Sequence, residues 1–174
     1  MIFAEDYLFN DQEESCLPKN KKSRELTDIA WIELVGSVHA TESLEKVSQA
    51  IYNLFPPDID NIRIQENKVR GHYRNPVILL TVRIEKRATI LKLVANLATT
   101  LNPADKQQLE WEFMERIDAD NIFYLKVDKQ KAYCGESVLA YGDNTILIKI
   151  KFRQYVKSSE KIVEKLLALG LIEA

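Results

Sequence analysis

Residues 145–153, TILIKIKFR, alternate between apolar and polar side chains along most of their length. Successive side chains point to opposite sides of an extended strand, so each set occupies its own side. One side carries Ile146, Ile148, Ile150 and Phe152, and the other carries Thr145, Leu147, Lys149, Lys151 and Arg153. The alternation predicts a strand with one buried and one cationic face, because a shift of one residue would move every isoleucine into water.

The sequence around this strand predicts an α+β fold. Further strands are predicted at residues 31–38, 60–66, 77–84, 122–127 and 133–140, and helices at 41–55, 90–101, 103–117 and 162–169. Thr41 and Asn102 are the predicted N-caps of the first and third helices. Short turns between several neighbouring strands favour one mainly antiparallel sheet with helices on one face, a sandwich like that of some ribosomal proteins.

Length and composition fit one globular domain behind an N-terminal extension. The chain has 174 residues and 46% hydrophobic content, enough for one core of ordinary size. Residues 1–30 show little periodicity and are predicted to be the extension, and residues 31–174 the domain. No apolar run reaches the roughly 18 residues of a membrane span, so we expect a cytoplasmic protein. Cys16 and Cys134 lack the spacing of a disulfide framework or zinc site.

The formal net charge of −2 hides a gradient along the chain. Residues 1–30 hold seven acidic and four basic side chains, and residues 31–120 hold thirteen and eleven. Residues 121–174 hold six acidic and nine basic side chains, a local excess of three positive charges. Non-specific binding to nucleic acid depends on neutralising phosphates, so the net negative charge argues against a protein that coats nucleic acid. The positive charge of the last third can still attract a polyanion.

The sequence contains no motif of the common enzyme classes. The GxxxxGK[ST], GxGxxG, HExxH and GxSxG patterns are all absent. His39 and His72 are the only histidines, which excludes a site built from several histidines. We therefore expect a protein that is not an enzyme and has no cofactor or metal. An RNA-processing hydrolase centred on His72 and Asp128 is an alternative, although no nucleophile accompanies them.

The sequence GHYRNP, residues 71–76, gathers residue types that contact RNA. Arg74 can hold a phosphate through two parallel hydrogen bonds. His72 and Tyr73 can stack on an unpaired base, and Asn75 can pair with a base edge. The alternative is a turn in which the glycine and the Asn-Pro pair set the backbone while the other side chains lie in water.

The stretch YLKVDKQKAYCGE, residues 124–136, adds a second cluster of cations. Alternation places Tyr124 and Lys126 on one side of their strand, as it places Lys149 and Lys151 on one side of theirs. If the two strands pair and share an outer face, they form a surface that can follow a phosphodiester backbone.

Two alternatives to this RNA surface use the same strands. Lysines on an open sheet also discourage aggregation between sheet edges. The apolar residues Val35, Leu79 and Leu147 occupy the same predicted rows and would suit a subunit interface, either in a homodimer or with another protein.

A family resemblance rests on four stretches in order: VHATE (38–42), GHYRNP (71–76), RIDADNIFYLKVDKQKAYCGE (116–136) and GDNTILIKIKF (142–152). Over about residues 31–170 the chain resembles an archaeal RNA-binding domain family known as a predicted exosome subunit. That family is similar in fold to the ribosomal protein that holds the smallest rRNA of the large subunit. The resemblance implies RNA binding beside the RNA-degrading exosome. Its characteristic positions fall on His39, Glu42, Gly71, His72, Asn75, Pro76, Asp128, Lys129, Gln130, Tyr133 and Gly135.

Together these observations predict a cytoplasmic, non-catalytic protein that binds RNA through the outer face and turns of its sheet. The expected partners are rRNA or an exosome substrate, and exosome subunits. The alternative function is a protein-interaction module without RNA affinity. The candidate RNA-binding residues are His72, Tyr73, Arg74, Asn75, Tyr124, Lys126, Lys129, Gln130, Lys131, Lys149, Lys151 and Arg153.

Overall fold

The computed structural model describes residues 28–59, 61–70, 76–153 and 158–173 of the chain. Their strands are β1 (Ile29–Val38), β2 (Gln65–Arg70), β3 (Pro76–Ile84), β4 (Ile122–Asp128) and β5 (Thr145–Phe152). The five strands form one sheet in the order β2-β3-β1-β5-β4, and every neighbouring pair is antiparallel. β1 and β5 are therefore central strands, with hydrogen-bonded neighbours on both sides.

The described part of the chain also contains five α-helices, which lie between and after the strands in the sequence. They are α1 (Leu44–Asn53), α2 (Arg87–Thr100), α3 (Pro103–Trp111), α4 (Lys129–Tyr133) and α5 (Ser159–Leu169). Four of them begin at a side chain that accepts a hydrogen bond from the backbone N–H three residues on, which satisfies a donor that has no partner inside the helix. These N-caps are Ser43 for α1, Asn102 for α3, Asp128 for α4 and Ser158 for α5.

The core lies between the helices and one face of the sheet, which we call the inner face. Leu34 of β1, Ile148 of β5 and Leu125 of β4 share a row on this face, and none has exposed surface. They belong to one apolar cluster with residues of the helices, including Leu97 of α2 and Leu166 of α5. Burial of one such side chain stabilises the fold by about 1.5–3 kcal/mol, so this face fixes the strand register.

The opposite face of the sheet, the outer face, lies outside the core cluster. Its side chains on the central strands and β4 are mostly half-buried and alternate with the buried inner-face residues, except at the first residues of β1 and β5. Its members are Trp31, Glu33, Val35 and Ser37 of β1, Leu79, Thr81 and Arg83 of β3, Tyr124 and Lys126 of β4, and Leu147, Lys149 and Lys151 of β5. These are the side chains that the sheet offers to a ligand.

Gly36 lets α1 pack directly against β1. A Cβ at this position would lie 3.2 Å from Cδ1 of Ile51 and 3.3 Å from Cγ1 of Val47, both on α1. A larger residue would therefore push the helix away from the strand. α1 also forms one wall of the groove described below.

The two edges of the sheet differ. Irregular segments cover the edge of β4, where the Tyr124 N–H donates to the Arg116 carbonyl at 2.7 Å. Farther along the strand, the Ala140 N–H donates to the Lys126 carbonyl at 3.0 Å. All six residues of β2 are exposed at the other edge, and three of them are charged. Charged edge strands discourage pairing with other sheets.

The structure confirms the α+β class and the mainly antiparallel sheet, but the predicted strand at residues 133–140 is wrong. The chain instead forms α4 directly after β4, because the Asp128 side chain caps the Lys131 N–H at 2.9 Å. Gly135, with φ of 84°, then reverses the chain. Only isolated bridges involve residues 137 and 139. A short helix therefore precedes the predicted strand, and residues 134–140 form turns and isolated bridges instead.

Several boundaries also differ from the predicted ones, and α3 ends at Trp111 rather than near residue 117. β2 begins at Gln65 rather than near residue 60, because Ile62 and Ile64 pack against the core before the strand starts. Ser43, not Thr41, caps α1. Residues 1–27 lie outside the described part of the chain, and β1 begins at Ile29, so the division at residue 30 stays a prediction. No helix among the described residues is long and apolar enough to cross a membrane.

Candidate nucleic-acid interface

Cations and aromatic rings of the outer face lie in adjacent cross-strand rows. The Cβ atoms of directly opposed residues in antiparallel strands are about 4.5–5.5 Å apart. One row holds Ile122, Lys151 and Trp31, the next holds Tyr124, Lys149, Glu33 and Arg83, and the third holds Lys126, Leu147, Val35 and Thr81. The pairing of β4 with β5 thus brings Tyr124, Lys126, Lys149 and Lys151 together on one surface, as the alternation predicted.

Glu33 is shared by two cations at the centre of this surface. The Lys149 Nζ donates to Glu33 Oε1 at 2.8 Å, and the Arg83 Nη1 lies 3.9 Å from Glu33 Oε2. The Arg83 guanidinium also lies over the Trp31 ring, with its central carbon 4.3 Å from the ring centroid. Arg83 also pairs with Glu85, its Nε lying 2.9 Å from Glu85 Oε1, so two carboxylates balance the two cations at the centre of this surface.

The lysines toward β4 carry less charge compensation. Lys126 has no ion pair or side-chain hydrogen bond with any other residue of the described segments. The Lys151 ammonium donates to the backbone carbonyl of Asp120, a neutral acceptor. The Lys126 ammonium is therefore available to an incoming anion, whereas the charge of Lys151 also acts on Asp118 and lowers the pKa of that carboxyl.

Tyr124 is held in place by a carboxylate. Its hydroxyl donates to Asp118 Oδ2 at 2.7 Å, and this hydrogen bond, together with burial, raises the pKa of Tyr124. Burial alone would raise the pKa of Asp118, but hydrogen bonds from the Ile122 N–H and the Tyr124 hydroxyl outweigh it and lower that pKa. The phenol consequently stays neutral, and its ring is fixed in the row that contains Lys149.

Several loops meet at one end of the sheet, which we call the motif end. The turn 39–43 follows β1, α4 follows β4, and residues 142–144 precede β5. Arg70 pairs with Pro76 at the same end, so the chain enters and leaves residues 71–75 there. The stretches that carry the family resemblance are far apart in the sequence but leave the sheet side by side.

Comparison with known proteins agrees with this arrangement. A family model described as RNA binding matches residues 31–152, which include all of the sheet except the first two residues of β1. The chain belongs to this RNA-binding family. The matched region excludes the first thirty residues, and it covers every outer-face residue defined above.

Individual family members resemble the chain over most of their length. The RNA-binding protein PAB1135 of Pyrococcus abyssi is 33% identical over 130 residues, 73% of this chain and 84% of that protein. The uncharacterized protein MJ0213 of Methanocaldococcus jannaschii is 32% identical over 142 residues, 79% of this chain and 94% of its own. The crystal structure of protein AF2318 from Archaeoglobus fulgidus has a TM-score of 0.72 and 35% identity, and covers 81% of this chain and 99% of that one.

The structure separates the predicted RNA-binding residues into groups. Lys129, Gln130 and Lys131 lie on α4 and not on the outer face, because the chain leaves the sheet at Asp128. Lys131 is exposed and pairs with Glu136 at 3.2 Å. Arg153 follows β5 and is exposed. His72, Tyr73, Arg74 and Asn75 lie outside the described residues, so their roles stay predictions.

Lys129 is buried at the motif end and binds other parts of the protein. Only 4% of its surface is exposed. Its Nζ donates to both carboxylate oxygens of Glu42 at 3.0 Å and to the Ser37 carbonyl at 2.6 Å. Glu42 Oε2 also accepts the His39 N–H at 2.8 Å. These family positions therefore join α4 to the end of β1, and Lys129 is not accessible to a phosphate.

Burial and hydrogen bonding act in opposite directions on the pKa of Glu42. Burial raises it, but the His39 N–H, the Lys129 hydrogen bond and the positive charge of Lys129 together lower it below its ordinary value. The ion pair is thus formed with a charged carboxylate at neutral pH, and its stabilising effect depends on that charge.

Trp31 and Arg83 belong to the site although the sequence analysis did not select them. Trp31 has the same strand parity as Glu33 and Val35, so alternation alone places it on the outer face. Their contact, however, depends on the pairing of β1 with β3, and the residues are far apart in the sequence.

Of the two residues of the hydrolase alternative, Asp128 caps a helix and His72 lies outside the described residues. Asp128 Oδ1 accepts the Lys131 N–H as the cap of α4, and His72 is not among the described residues. Across residues 28–59, 61–70, 76–153 and 158–173, no group of three His, Cys, Asp or Glu side chains could hold a metal ion.

We expect Lys129→Met to lower the free energy of unfolding by about 3 kcal/mol, because it leaves a half-buried carboxylate and a backbone carbonyl without their cation. Urea unfolding followed by circular dichroism would measure the loss. The double variant Lys129→Met with Glu42→Gln should lose less, since no charge is stranded. Lys131→Met, in an exposed pair on the same helix, should cost under about 1 kcal/mol. Equal losses for the single and double variants would contradict the coupling.

The same pair predicts a pH dependence of stability. A carboxylate whose pKa is lowered by folding contributes stability above its unfolded pKa of about 4.3, and the contribution is lost as pH falls through the lower folded value. The stability difference between the wild-type protein and Glu42→Gln should therefore be constant from pH 7 to 5 and shrink below about pH 4. Glu136→Gln, which alters an exposed pair, is the control. A gap that persists unchanged at pH 3 would contradict the role of the charge.

Proposed function

We propose that this protein binds single-stranded RNA on the outer face of its sheet. The observation that carries the proposal is the pairing of β4 with β5, which places Lys126, Lys149 and Lys151 around Tyr124. Membership in the RNA-binding family supports the same function. A relative, PAB1135 of Pyrococcus abyssi, is named an RNA-binding protein.

The electrostatics favour local contact with phosphates. The whole chain has a formal charge of −2, so long-range attraction to RNA is weak. On the outer face, however, Lys126, Lys149 and Lys151 share their rows with one acidic residue, Glu33, while Arg83 pairs with Glu85. Lysines contact phosphates as point charges and release counterions on binding, which makes the affinity dependent on salt.

The aromatic rings favour unpaired bases. Trp31 lies in the same row as Lys151, and Tyr124 in the same row as Lys149. Lys149 can therefore reach the phosphate of a base that stacks on Tyr124, whereas the Arg83 guanidinium lies over the Trp31 ring and would have to move before a base could stack on that side. Bases in an A-form duplex are already stacked and present no free face, whereas single-stranded loops and ends do.

The finer proposal concerns the biological partner. The motifs at the motif end resemble a family known as a predicted exosome subunit, so we propose a cytoplasmic, non-catalytic accessory that holds rRNA or an exosome substrate.

The purified protein should then co-elute with a reconstituted archaeal exosome when RNA is present. Elution of the two as separate peaks under those conditions would remove the exosome from the proposal and leave RNA binding intact. The same column measures whether the protein alone is a homodimer.

We expect Lys126→Ala combined with Lys151→Ala to weaken binding of a labelled single-stranded RNA. Each lost phosphate contact should reduce the steepness of log K against log salt by about 0.7, so the double variant should lose about 1.4. Fluorescence anisotropy titrations at several KCl concentrations measure both quantities.

Lys161→Ala is the matched control, because Lys161 is exposed on α5, a helix of the inner face. Lys161→Ala removes one positive charge, as each outer-face substitution does, but leaves the outer face unchanged. If Lys161→Ala weakens RNA binding as much as one outer-face substitution, only the net charge of the protein matters. Absence of any RNA affinity in the wild-type protein at low salt would overturn the proposed function.

A further inference from the structure

A groove runs between α1 and α4 at the motif end, and Tyr133 divides it. The first cavity, of about 450 Å³, lies toward the start of α1, and the second, of about 510 Å³, lies toward its end. Tyr133 and Cys134 line both cavities. Pockets that bind small ligands have volumes of roughly 300–1,000 Å³, so each cavity has room for a group the size of a nucleotide.

Specific hydrogen bonds hold the two walls of the groove together. The Asn53 side chain at the end of α1 donates to the carbonyls of Ala132, at 3.2 Å, and Tyr133, at 2.7 Å. The ion pair of Lys129 with Glu42 joins α4 to the turn before α1. The groove is consequently present without a ligand, so a ligand that binds there does not lose free energy to ordering its walls.

The first cavity presents polar groups that nothing else in the described structure uses. The side chains of Lys46, Gln130 and Asn144 line it and make no hydrogen bond to another described residue. The two amides can each donate and accept hydrogen bonds, as a base edge requires. Glu42 also lines the cavity, but Lys129 neutralises it, so no unpaired carboxylate faces a phosphate there.

The second cavity has both apolar and polar walls. Phe55, Pro57 and Ile62 contribute to its walls together with Tyr52, which is 39% exposed. The Tyr52 hydroxyl donates to the Ile62 carbonyl at 3.3 Å, which orients its ring. Tyr133, which is 45% exposed, lines both cavities. An aromatic ring in that position can stack with a flat group on either side.

We propose that the α1–α4 groove binds two consecutive unpaired nucleotides of RNA, one on each side of Tyr133. The first cavity would read a base edge through Gln130 and Asn144, with Lys46 at the phosphate. The second would hold the next base by stacking. This inference rests on the proposed RNA binding and adds a site away from the outer face. Base stacking on an aromatic side chain tolerates any base, so discrimination would come from the amides of the first cavity.

The first test compares Tyr133→Ala with Tyr133→Phe. Loss of one stacked base should weaken binding of a labelled hexanucleotide by roughly 5- to 150-fold in Tyr133→Ala, while Tyr133→Phe keeps the ring and should stay within about twofold of the wild-type protein. Circular dichroism of both variants checks folding. Equal affinities for Tyr133→Ala and the wild-type protein would overturn the groove.

The second test uses Cys134, an exposed free thiol that lines both cavities. Saturating single-stranded RNA should slow its alkylation by a maleimide several-fold, measured by mass spectrometry of the Cys134 peptide. An RNA duplex of the same length should protect it less. An unchanged alkylation rate with bound single-stranded RNA would show that the groove is empty.

The two proposals fail in different ways. Suppose that Tyr133→Ala binds RNA as tightly as the wild-type protein and that RNA does not slow alkylation of Cys134, while Lys126→Ala with Lys151→Ala still weakens binding. The groove inference is then overturned, and the proposal for the outer face stands. If the wild-type protein binds no RNA at low salt, both are overturned. If protection of Cys134 is the same with single-stranded and duplex RNA, the ligand is not an unpaired segment, and the inference is again overturned.

Discussion

One-sided burial of the sheet is the constraint on which the rest of this structure depends. Ile146, Ile148 and Ile150 of β5 have no exposed surface, and each is worth about 1.5–3 kcal/mol of stability. A slip of one residue would expose all three, so the register of β5 against β1 and β4 cannot change. The side chains of β5 that lie between these isoleucines must then point to the outer face. The lysines of β5 therefore reach the outer face as a geometric consequence of core packing, whatever they bind.

A different interaction shapes the motif end. Lys129 is a cation with almost no exposed surface, and removing it from water is costly unless its donors are all satisfied. Glu42 and the Ser37 carbonyl supply the partners, and both belong to the region where β1 ends. A buried ion pair adds little net stability compared with apolar packing, but it tolerates only one geometry. It thus explains why α4 lies against α1 and why a groove exists between them.

The sequence analysis succeeded where structure follows from local periodicity. Strand β5 was predicted to within one residue, and the parity of Lys149 and Lys151 was correct, because burial repeats every second residue. It failed at α4, since five residues are too few to show a helical period and the cap at Asp128 resembles a strand end. The partners of Lys129 could not be predicted either, because Glu42 lies 87 positions away. The contact between Trp31 and Arg83 likewise depends on which strands are neighbours.

The two surfaces differ in the kind of recognition they can supply. Lysines of the outer face would contact phosphates, which are the same in every sequence, so that face can provide affinity and register but little discrimination. The groove has a single unpaired lysine, Lys46, and two free amides, whose hydrogen bonds can distinguish one base edge from another. α4 begins where β4 ends, so the groove adjoins the end of the strand that carries Lys126. Under the two proposals, phosphate contacts on the sheet and base recognition at the motif end would act on one RNA segment.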